Sequence, residues 1–246
     1  MKKLINITTI ILLTLTFTSC EGDSTEGVSR ITYFPDMVIT GDPVTFVELA
    51  STYTDEGCIA MSGEEELEVT TSDISKGRYN GADMDTNVWD LHTITYTALN
   101  EDGFPGTATR EIWVGETGDL VTDISGYYLS SVERGTTESY EDLAYVSIKK
   151  TGASTYELSC AIGGYYELGR EYYAFGDLFR AAGSIITVND IPTNDFSITD
   201  ADLNNPFWGS NPFTVENFTV IPETKTITFT GSGFSNFNVT LTQVQF

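Results

Sequence analysis

The sequence predicts an all-β protein with two domains, the first an antiparallel sandwich and the second a sandwich or a small barrel. The composition supports this, because aromatic residues make up 12% of the chain and Gly is abundant, with 22 residues among 246. Polar and apolar residues also alternate in many short runs, which is the pattern of half-buried strands. Turn-forming residues separate these runs, and long helical runs of Ala, Leu, Glu and Lys are missing.

The first block, residues 30–115, contains several short runs typical of strands. The run 91–98 places His92, Ile94 and Tyr96 on one face, as a half-buried strand requires. Six or seven such strands over about 85 residues indicate an antiparallel sandwich. The predicted strands cover residues 31–34, 44–47, 66–70, 91–98 and 107–114.

Three segments of this block resemble bacterial Ig-like surface domains. Residues 53–60, YTDEGCIA, resemble their Y-x-D-x-G-x-x-A segment, and residues 92–98, HTITYTA, resemble their Y-T-V-T-Y-T-A strand. Residues 110–114, REIWV, match their closing R-x-V-x-V. The resemblance spans most of residues 38–114 and departs at residues 99–100, where an Asp usually follows the strand. It implies an Ig-like β-sandwich that serves as a spacer or adhesion module and carries no catalytic residues.

The second block, residues 123–246, follows a linker predicted at residues 116–122. Its runs 144–150 and 155–161 predict a hairpin, and the stretch 175–182 predicts a helical turn. This pattern favours a small antiparallel sandwich or barrel. The other predicted strands of this block cover residues 126–132, 213–220, 226–230 and 237–244.

The whole layout resembles two-domain lipoproteins of Bacteroidetes-type bacteria, which pair an Ig-like domain with a β-rich C-terminal domain of unknown function. The segments that carry this resemblance are ISGYY at 124–128, YELS at 156–159, GGYY at 163–166 and GR at 169–170. Such proteins are often encoded near glycan-uptake systems that resemble starch-utilisation systems. This association supplies no mechanism.

The N-terminal segment resembles a bacterial lipoprotein signal. Two lysines precede the apolar stretch 4–17, and small residues lie directly before Cys20, although Phe17 stands where Leu is commonest. The stretch is too short and too rich in Thr for a spanning helix. The resemblance implies a signal peptide over residues 1–19 and lipid attachment at Cys20. The alternative is an ordinary secretory signal with an incidental cysteine, but no A-x-A-like cleavage site is present.

Residues 20–29 predict an acidic, flexible tether between the lipid and the first domain. Acidity directly behind the cysteine resembles the export signal that sends lipoproteins of Bacteroidetes-type bacteria to the outer face of the outer membrane. The resemblance therefore implies a lipid-anchored outer-membrane protein that faces the cell exterior.

The charge argues against one class of partner. The chain has a net charge of −24, and removal of residues 1–19 takes away two lysines and no acids, which gives −26. Such a chain repels nucleic acid and anionic lipid surfaces. We therefore expect no nucleic-acid partner. The resemblances above imply contact with the membrane through the N-terminal lipid, and they make a glycan or a glycan-uptake complex the candidate partner.

No metal or cofactor site stands out in the sequence. The D-x-D-x-N triplets at 83–87 and 200–204 copy the first three ligand positions of a calcium loop. Val88 and Asn205 stand where that loop requires Gly, so solvated turns are the better interpretation. We expect no cofactor, while weak calcium binding by a different arrangement stays open.

The residues that nucleophilic catalysis would need are scarce. His92 is the only histidine, and it lies in the middle of a predicted strand, which favours a packing role over a catalytic base. Cys58 and Cys160 fall in different domains and have no neighbouring metal or redox motif. We expect two largely buried thiols, and the alternative is a disulfide bridge between the domains of an exported protein.

The C-terminal block carries aromatic residues that suit a sugar site. Aromatic rings pack against the apolar faces of sugars, and nearby Asn, Asp and Arg side chains can bind hydroxyl groups. The alternative is that such rings fill a small β core. This alternative is favoured for the pairs 165–166 and 172–173, whereas for Trp208 the two interpretations have equal weight. The candidate glycan-binding residues are Trp208, Phe207, Tyr172, Tyr173 and Arg170.

The leading hypothesis is a non-enzymatic surface lipoprotein in which an Ig-like spacer presents a glycan-binding or partner-binding C-terminal domain outward. The alternative is a structural or adhesive surface protein with no small-molecule ligand. A glycoside hydrolase ranks last, because the 36 acidic residues make any pair of carboxylates uninformative.

Overall fold

A computed structural model describes residues 31–136 and 138–245, without the side chains of residues 71–73, 173, 174 and 176. The predicted signal peptide, the lipidation site Cys20 and the predicted tether lie outside the described residues. The described chain is almost entirely β, so the predicted all-β class is confirmed.

The first domain is a sandwich of a three-stranded and a four-stranded sheet. Its strands are β1 (Asp36–Ile39), β2 (Val44–Glu48), β3 (Cys58–Ser62), β4 (Glu65–Leu67), β5 (Val69–Ile74), β6 (Asp90–Leu99) and β7 (Pro105–Gly115). The sheets have the orders β1-β3-β4 and β2-β7-β6-β5. The β2–β7 pair is parallel, and the other pairs are antiparallel. Ile94, Tyr96 and Ile112 form the core, against which Met37 and Cys58 pack from the opposite sheet. The Ig-like assignment of this sandwich stays a prediction.

A buried arginine ties the two sheets of the sandwich together. The Arg110 guanidinium lies 2.5 Å from Asp55 Oδ1 and 3.3 Å from the Tyr53 hydroxyl, and it also donates to the Gly57 carbonyl. The Tyr96 hydroxyl donates to the same Asp55 oxygen at 2.6 Å. The segments that carry the Ig-like resemblance therefore meet in one polar cluster, which explains their residue types.

The second domain is one continuous, curled sheet of nine antiparallel strands around a single core. Its strands are β8 (Gly126–Arg134), β9 (Glu138–Lys150), β10 (Thr155–Leu158), β11 (Ser184–Asp190), β12 (Asp195–Ile198), β13 (Ala201–Asn205), β14 (Gly209–Ile221), β15 (Thr226–Ser232) and β16 (Asn236–Gln243). Their order is β12-β11-β10-β9-β8-β16-β15-β14-β13. The sheet curls far enough for Ala182, just before β11, to pair with Asp202 in the edge strand β13. Of the two predicted architectures, the curled sheet is closer to a barrel.

Residues 165–180 between β10 and β11 leave the sheet, and we call them the helical insert. They contain a π-helix, Tyr165–Gly169, and a 3-10 helix, Tyr172–Phe179. The predicted helical turn at 175–182 is displaced, because the chain after Phe179 is extended. Its backbone pairs there with Ala161 and Asp202.

The two domains pack directly on each other. Tyr127 of β8 is buried between Trp89 and Trp113 of the first domain, with both ring centroids 4.9 Å away. Its hydroxyl donates to the Val114 carbonyl at 2.8 Å. In the predicted linker 116–122, Leu120 is fully buried in the core of the second domain. The connection is therefore packed against the second domain over part of its length.

Two predicted strands differ from the structure. The predicted strand 66–70 is divided between β4 and β5, which belong to different sheets. Residues 31–34 alternate like a strand, but β1 begins only at Asp36. The Tyr33 carbonyl accepts hydrogen bonds from the Asn100 and Ser62 side chains, at 2.7 and 2.9 Å. Side chains thus take the place of a neighbouring strand here.

Candidate functional site

The tight turn between β13 and β14 presents two aromatic rings to solvent. Asn205 and Gly209 close a three-residue loop, and Gly209 has the positive φ of 72° that such a loop favours. Phe207 and Trp208 lie within the loop and are 62% and 44% exposed. The sequence Asn-Pro-x-x-Gly therefore produces a turn that leaves large apolar rings in water.

Side chains on both strands hold this turn in place. Asn205 Oδ1 accepts hydrogen bonds from the backbone N–H groups of Phe207 and Trp208, each at 2.9 Å. Asp202 accepts from the Ser210 hydroxyl and from the Asn211 backbone, both at 2.7 Å. The exposed rings consequently stand on a fixed scaffold.

The helical insert supplies more aromatic residues beside the turn. Tyr172 is half-buried and Phe175 is 51% exposed. The Phe175 ring centroid lies 5.9 Å from that of Phe207 and 6.4 Å from that of Tyr172. We call Tyr172, Phe175, Phe207 and Trp208 the aromatic face.

Two buried rings lie beneath the aromatic face. Phe179 has ring-centroid distances of 5.9 Å to Phe207 and 5.0 Å to Trp208. Tyr166 is 4.9 Å from Trp208 and stacks on Tyr172 at 6.3 Å. Trp208 is therefore joined to Phe207 and to Tyr172 through these two buried rings, and Tyr166 belongs to the core of the second domain.

Arg170 lies at the margin of this surface. Its guanidinium carbon is 5.5 Å from the Tyr166 ring centroid, and its Nη2 is 2.5 Å from Glu138 Oε2. Hydrogen bonds from Tyr165, then from Arg170 and Tyr140, lower the pKa of Glu138 to about 2. Glu138 is thus an anion at neutral pH and holds Arg170 beside the rings.

The structure brings together four of the five residues that the sequence singles out. Trp208, Phe207 and Tyr172 belong to the aromatic face and Arg170 borders it, while the side chain of Tyr173 is not described. Sequence reasoning missed the supporting roles of Phe179 and Asn205. Phe179 follows Tyr172 and Phe175 at helical spacing, which is a signal for a shared face.

The other sequence candidates take part in local structure. Nδ1 of the buried His92 lies 3.1 Å from the Ser75 carbonyl oxygen. Asp85 accepts hydrogen bonds from the backbone and side chain of Asn87 within its turn. Cys58 and Cys160 are both free, and burial raises the pKa of each thiol. Among the described residues, no group of three or more potential ligands could hold a metal ion.

A concave site lies at the domain junction. It is a cavity of about 170 Å³ lined by Tyr79 and Trp89 of the first domain and by Tyr127, Lys149 and Glu157 of the second. The rings of Trp89 and Tyr127 are almost fully buried against each other. They leave little ring area for a ligand, so the aromatic face is the stronger candidate.

The fold and the aromatic face define a two-domain β protein whose second domain carries the candidate site. A family model for a C-terminal domain matches residues 117–243, which is more than half of the chain. The chain therefore belongs to the family that this C-terminal domain defines. The match includes the helical insert and the turn between β13 and β14.

The fold is similar to that of the lipoprotein BT2262 from Bacteroides thetaiotaomicron. The similarity has a TM-score of 0.55 at 20% sequence identity and covers 85% of this chain and 100% of that chain. At 20% sequence identity, this similarity shows a shared fold and nothing about function. The comparison with curated proteins gives no match. None of the helices in the described parts of the chain has the length and apolar character needed to span a bilayer.

Proposed function

We propose that this protein is a non-enzymatic surface lipoprotein whose second domain binds a glycan through the aromatic face. The observation that carries the proposal is the exposure of Trp208 and Phe207 on a turn that side chains hold in place. Contiguous exposed apolar surface in a soluble domain marks an interaction site. The rigid turn means that little conformational entropy is lost when a ligand binds.

The composition of the site favours a sugar over a purely apolar ligand. Ring faces provide apolar contact area, while Arg170 and Ser210 provide hydrogen-bonding groups next to it. Sites that combine aromatic surface with a few placed polar groups suit amphipathic ligands. The surface is open, as required for a chain of several sugar units.

The proposed location rests on separate support. The segment ending in Cys20 resembles a lipoprotein signal, and the protein with the similar fold is itself named a lipoprotein. We propose that lipid on Cys20 anchors the chain in the outer membrane and that the second domain faces the exterior. The first domain, proposed to be Ig-like, then separates the aromatic face from the membrane.

A carbohydrate microarray probed with residues 21–246 tests the proposal. We expect binding to a limited set of glycans, and we expect Trp208→Ala to weaken it by about tenfold or more, the typical effect of losing a central aromatic contact. Phe104→Ala is the matched control, because Phe104 is an exposed aromatic residue of the first domain. Unchanged binding by Trp208→Ala would remove the aromatic face as the site.

A structural or adhesive role is the second candidate. Phe34 and Phe104 of the first domain are exposed, with ring centroids 5.1 Å apart, and form a separate apolar patch. Such a patch suits contact with another protein. Absence of glycan binding together with loss of a protein contact in Phe34→Ser would favour this role.

A further inference from the structure

A buried carboxylate of the helical insert joins the two domains. Glu167 accepts two hydrogen bonds from Arg180, with Nε 2.9 Å from Oε2 and Nη2 2.6 Å from Oε1. It also accepts a hydrogen bond from Arg78 of the first domain. The side chain of Glu167 is only 4% exposed and lies between the guanidinium groups of Arg78 and Arg180.

Arg180 makes a further contact across the same junction. Its guanidinium carbon lies 4.9 Å from the ring centroid of Tyr79, which follows Arg78 in the first domain. A cation over an aromatic face gains more when the groups are shielded from water. Here Arg180 is buried and Tyr79 is half-buried. Arg180 directly follows the 3-10 helix that carries Phe175 and Phe179, so the junction lies close in sequence to the aromatic face.

The first domain presents Arg78 and Tyr79 from a well-held loop. The Arg78 backbone N–H donates to the Leu91 carbonyl of β6 at 3.0 Å. The buried Asp90 accepts hydrogen bonds from the backbone N–H groups of Tyr79 and Asn80, at 2.8 and 3.0 Å. The loop thus offers the insert a rigid support.

We propose that the first domain is part of the framework of the binding site and that Arg78 is its positioning residue. Through Glu167, Arg78 holds the helical insert in the arrangement that places Phe175 beside Phe207 and Phe179 beneath Trp208. The inference rests on the proposed role of the aromatic face. It gives the first domain a second role besides that of a spacer, which is to keep the binding site in its arrangement. Loss of Arg78 leaves the Glu167–Arg180 pair in place, so the second domain keeps its fold while the insert loses its external support.

Hydrogen–deuterium exchange of residues 21–246 tests the support directly. We expect Arg78→Ala to speed exchange in peptides from residues 165–180 by about tenfold, the scale set by one hydrogen bond to a charged group. Peptides from β15 and β16 should not change. Arg78→Lys should restore part of the protection, because an ammonium also reaches the carboxylate but lacks the planar fork. Lys76→Ala is the matched control, because Lys76 forms an exposed ion pair with Asp83 on the same loop.

Acrylamide quenching supplies a second readout at the aromatic face. Of the three tryptophans, Trp89 and Trp113 are buried and Trp208 is 44% exposed. We expect Arg78→Ala to increase quenching, because a displaced insert uncovers Trp208. Unchanged exchange in 165–180 together with unchanged quenching would overturn the inference.

The microarray separates this inference from the proposed function. Faster exchange together with weaker glycan binding in Arg78→Ala supports the positioning role. Faster exchange with full glycan binding overturns the positioning role, because binding would then not depend on the support that Arg78 gives to the helical insert. If the unmodified chain binds no glycan, the proposed function fails, and the exchange experiment alone decides whether the first domain orders the insert.

Discussion

The carboxamide oxygen of Asn205 lies 2.9 Å from the backbone nitrogen of Trp208. The same oxygen accepts the Phe207 N–H, so one buried side chain fixes both residues of the exposed turn. Its Nδ2 atom is buried and has no hydrogen-bond partner among the described residues. The structural role of Asn205 therefore belongs to its carboxamide oxygen, while its amide nitrogen is a buried donor without a partner among the described residues.

Asn205→Ala should loosen the turn and weaken glycan binding. We expect it to lower the free energy of unfolding by about 1–2 kcal/mol, because two partly buried hydrogen bonds lose their acceptor while an unpaired donor is also removed. Urea unfolding measures this, and Asn204→Ala, at the neighbouring exposed position, serves as the control. Equal stability of the two variants would show that the turn does not depend on Asn205.

Arg110 should be essential to the first domain. Arg110→Met removes the cation of a largely buried ion pair and takes one donor from Asp55 and one from each of two carbonyl groups. We expect a loss of about 3–5 kcal/mol in the free energy of unfolding. Thermal unfolding followed by tryptophan fluorescence measures it, because Trp89 and Trp113 lie in this domain. Thr109→Ala at the exposed neighbouring position should have little effect, and a mild Arg110→Met phenotype would contradict the assigned role.

Tyr127 should hold the domains together mainly through its ring. Tyr127→Phe loses only the hydrogen bonds of the hydroxyl group, for an expected cost of about 1 kcal/mol. Tyr127→Ala also leaves a cavity between Trp89 and Trp113, for an expected cost of about 3–5 kcal/mol. Small-angle scattering and tryptophan emission then report domain separation. Similar costs for both variants would indicate that the hydroxyl dominates the contact.

The low pKa of Glu138 predicts a pH-dependent contribution to stability. A carboxylate whose pKa falls from 4.5 unfolded to about 2 folded stabilises the fold above pH 4.5, and this contribution disappears as the pH falls toward 2. We therefore expect Glu138→Gln to lower the melting temperature at pH 7 and to approach the unmodified chain near pH 2. Melting curves of both proteins from pH 2 to 7 test this, and a constant difference would contradict it.

The sequence predicts local structure here better than long-range partners. The strand β6 follows from alternation over residues 92–98, because a two-residue period is visible in the chain itself. The parallel β2–β7 pair and the short strands β12 and β13 do not, since strand partners and the sheet edge are set by tertiary packing. The rings of the aromatic face could be predicted as candidates from their residue types. Their exposure could not, because it depends on the turn that the Asn205 side chain holds in place. The burial of Glu167 depends on an arginine 89 residues away, so it could not be read from its neighbours.

The curl of the second sheet has a mechanical consequence. The helical insert precedes β11 near one end of the strand order, whereas the turn that carries Trp208 joins β13 and β14 at the other end. They become neighbours at a seam that is joined by the two backbone hydrogen bonds between Ala182 and Asp202. A glycan that contacts both Phe175 and Trp208 would connect the two sides of this seam. A polysaccharide that pulls on a domain anchored through its N-terminus would then load this seam, and its own contacts with Phe175 and Trp208 would hold the seam closed.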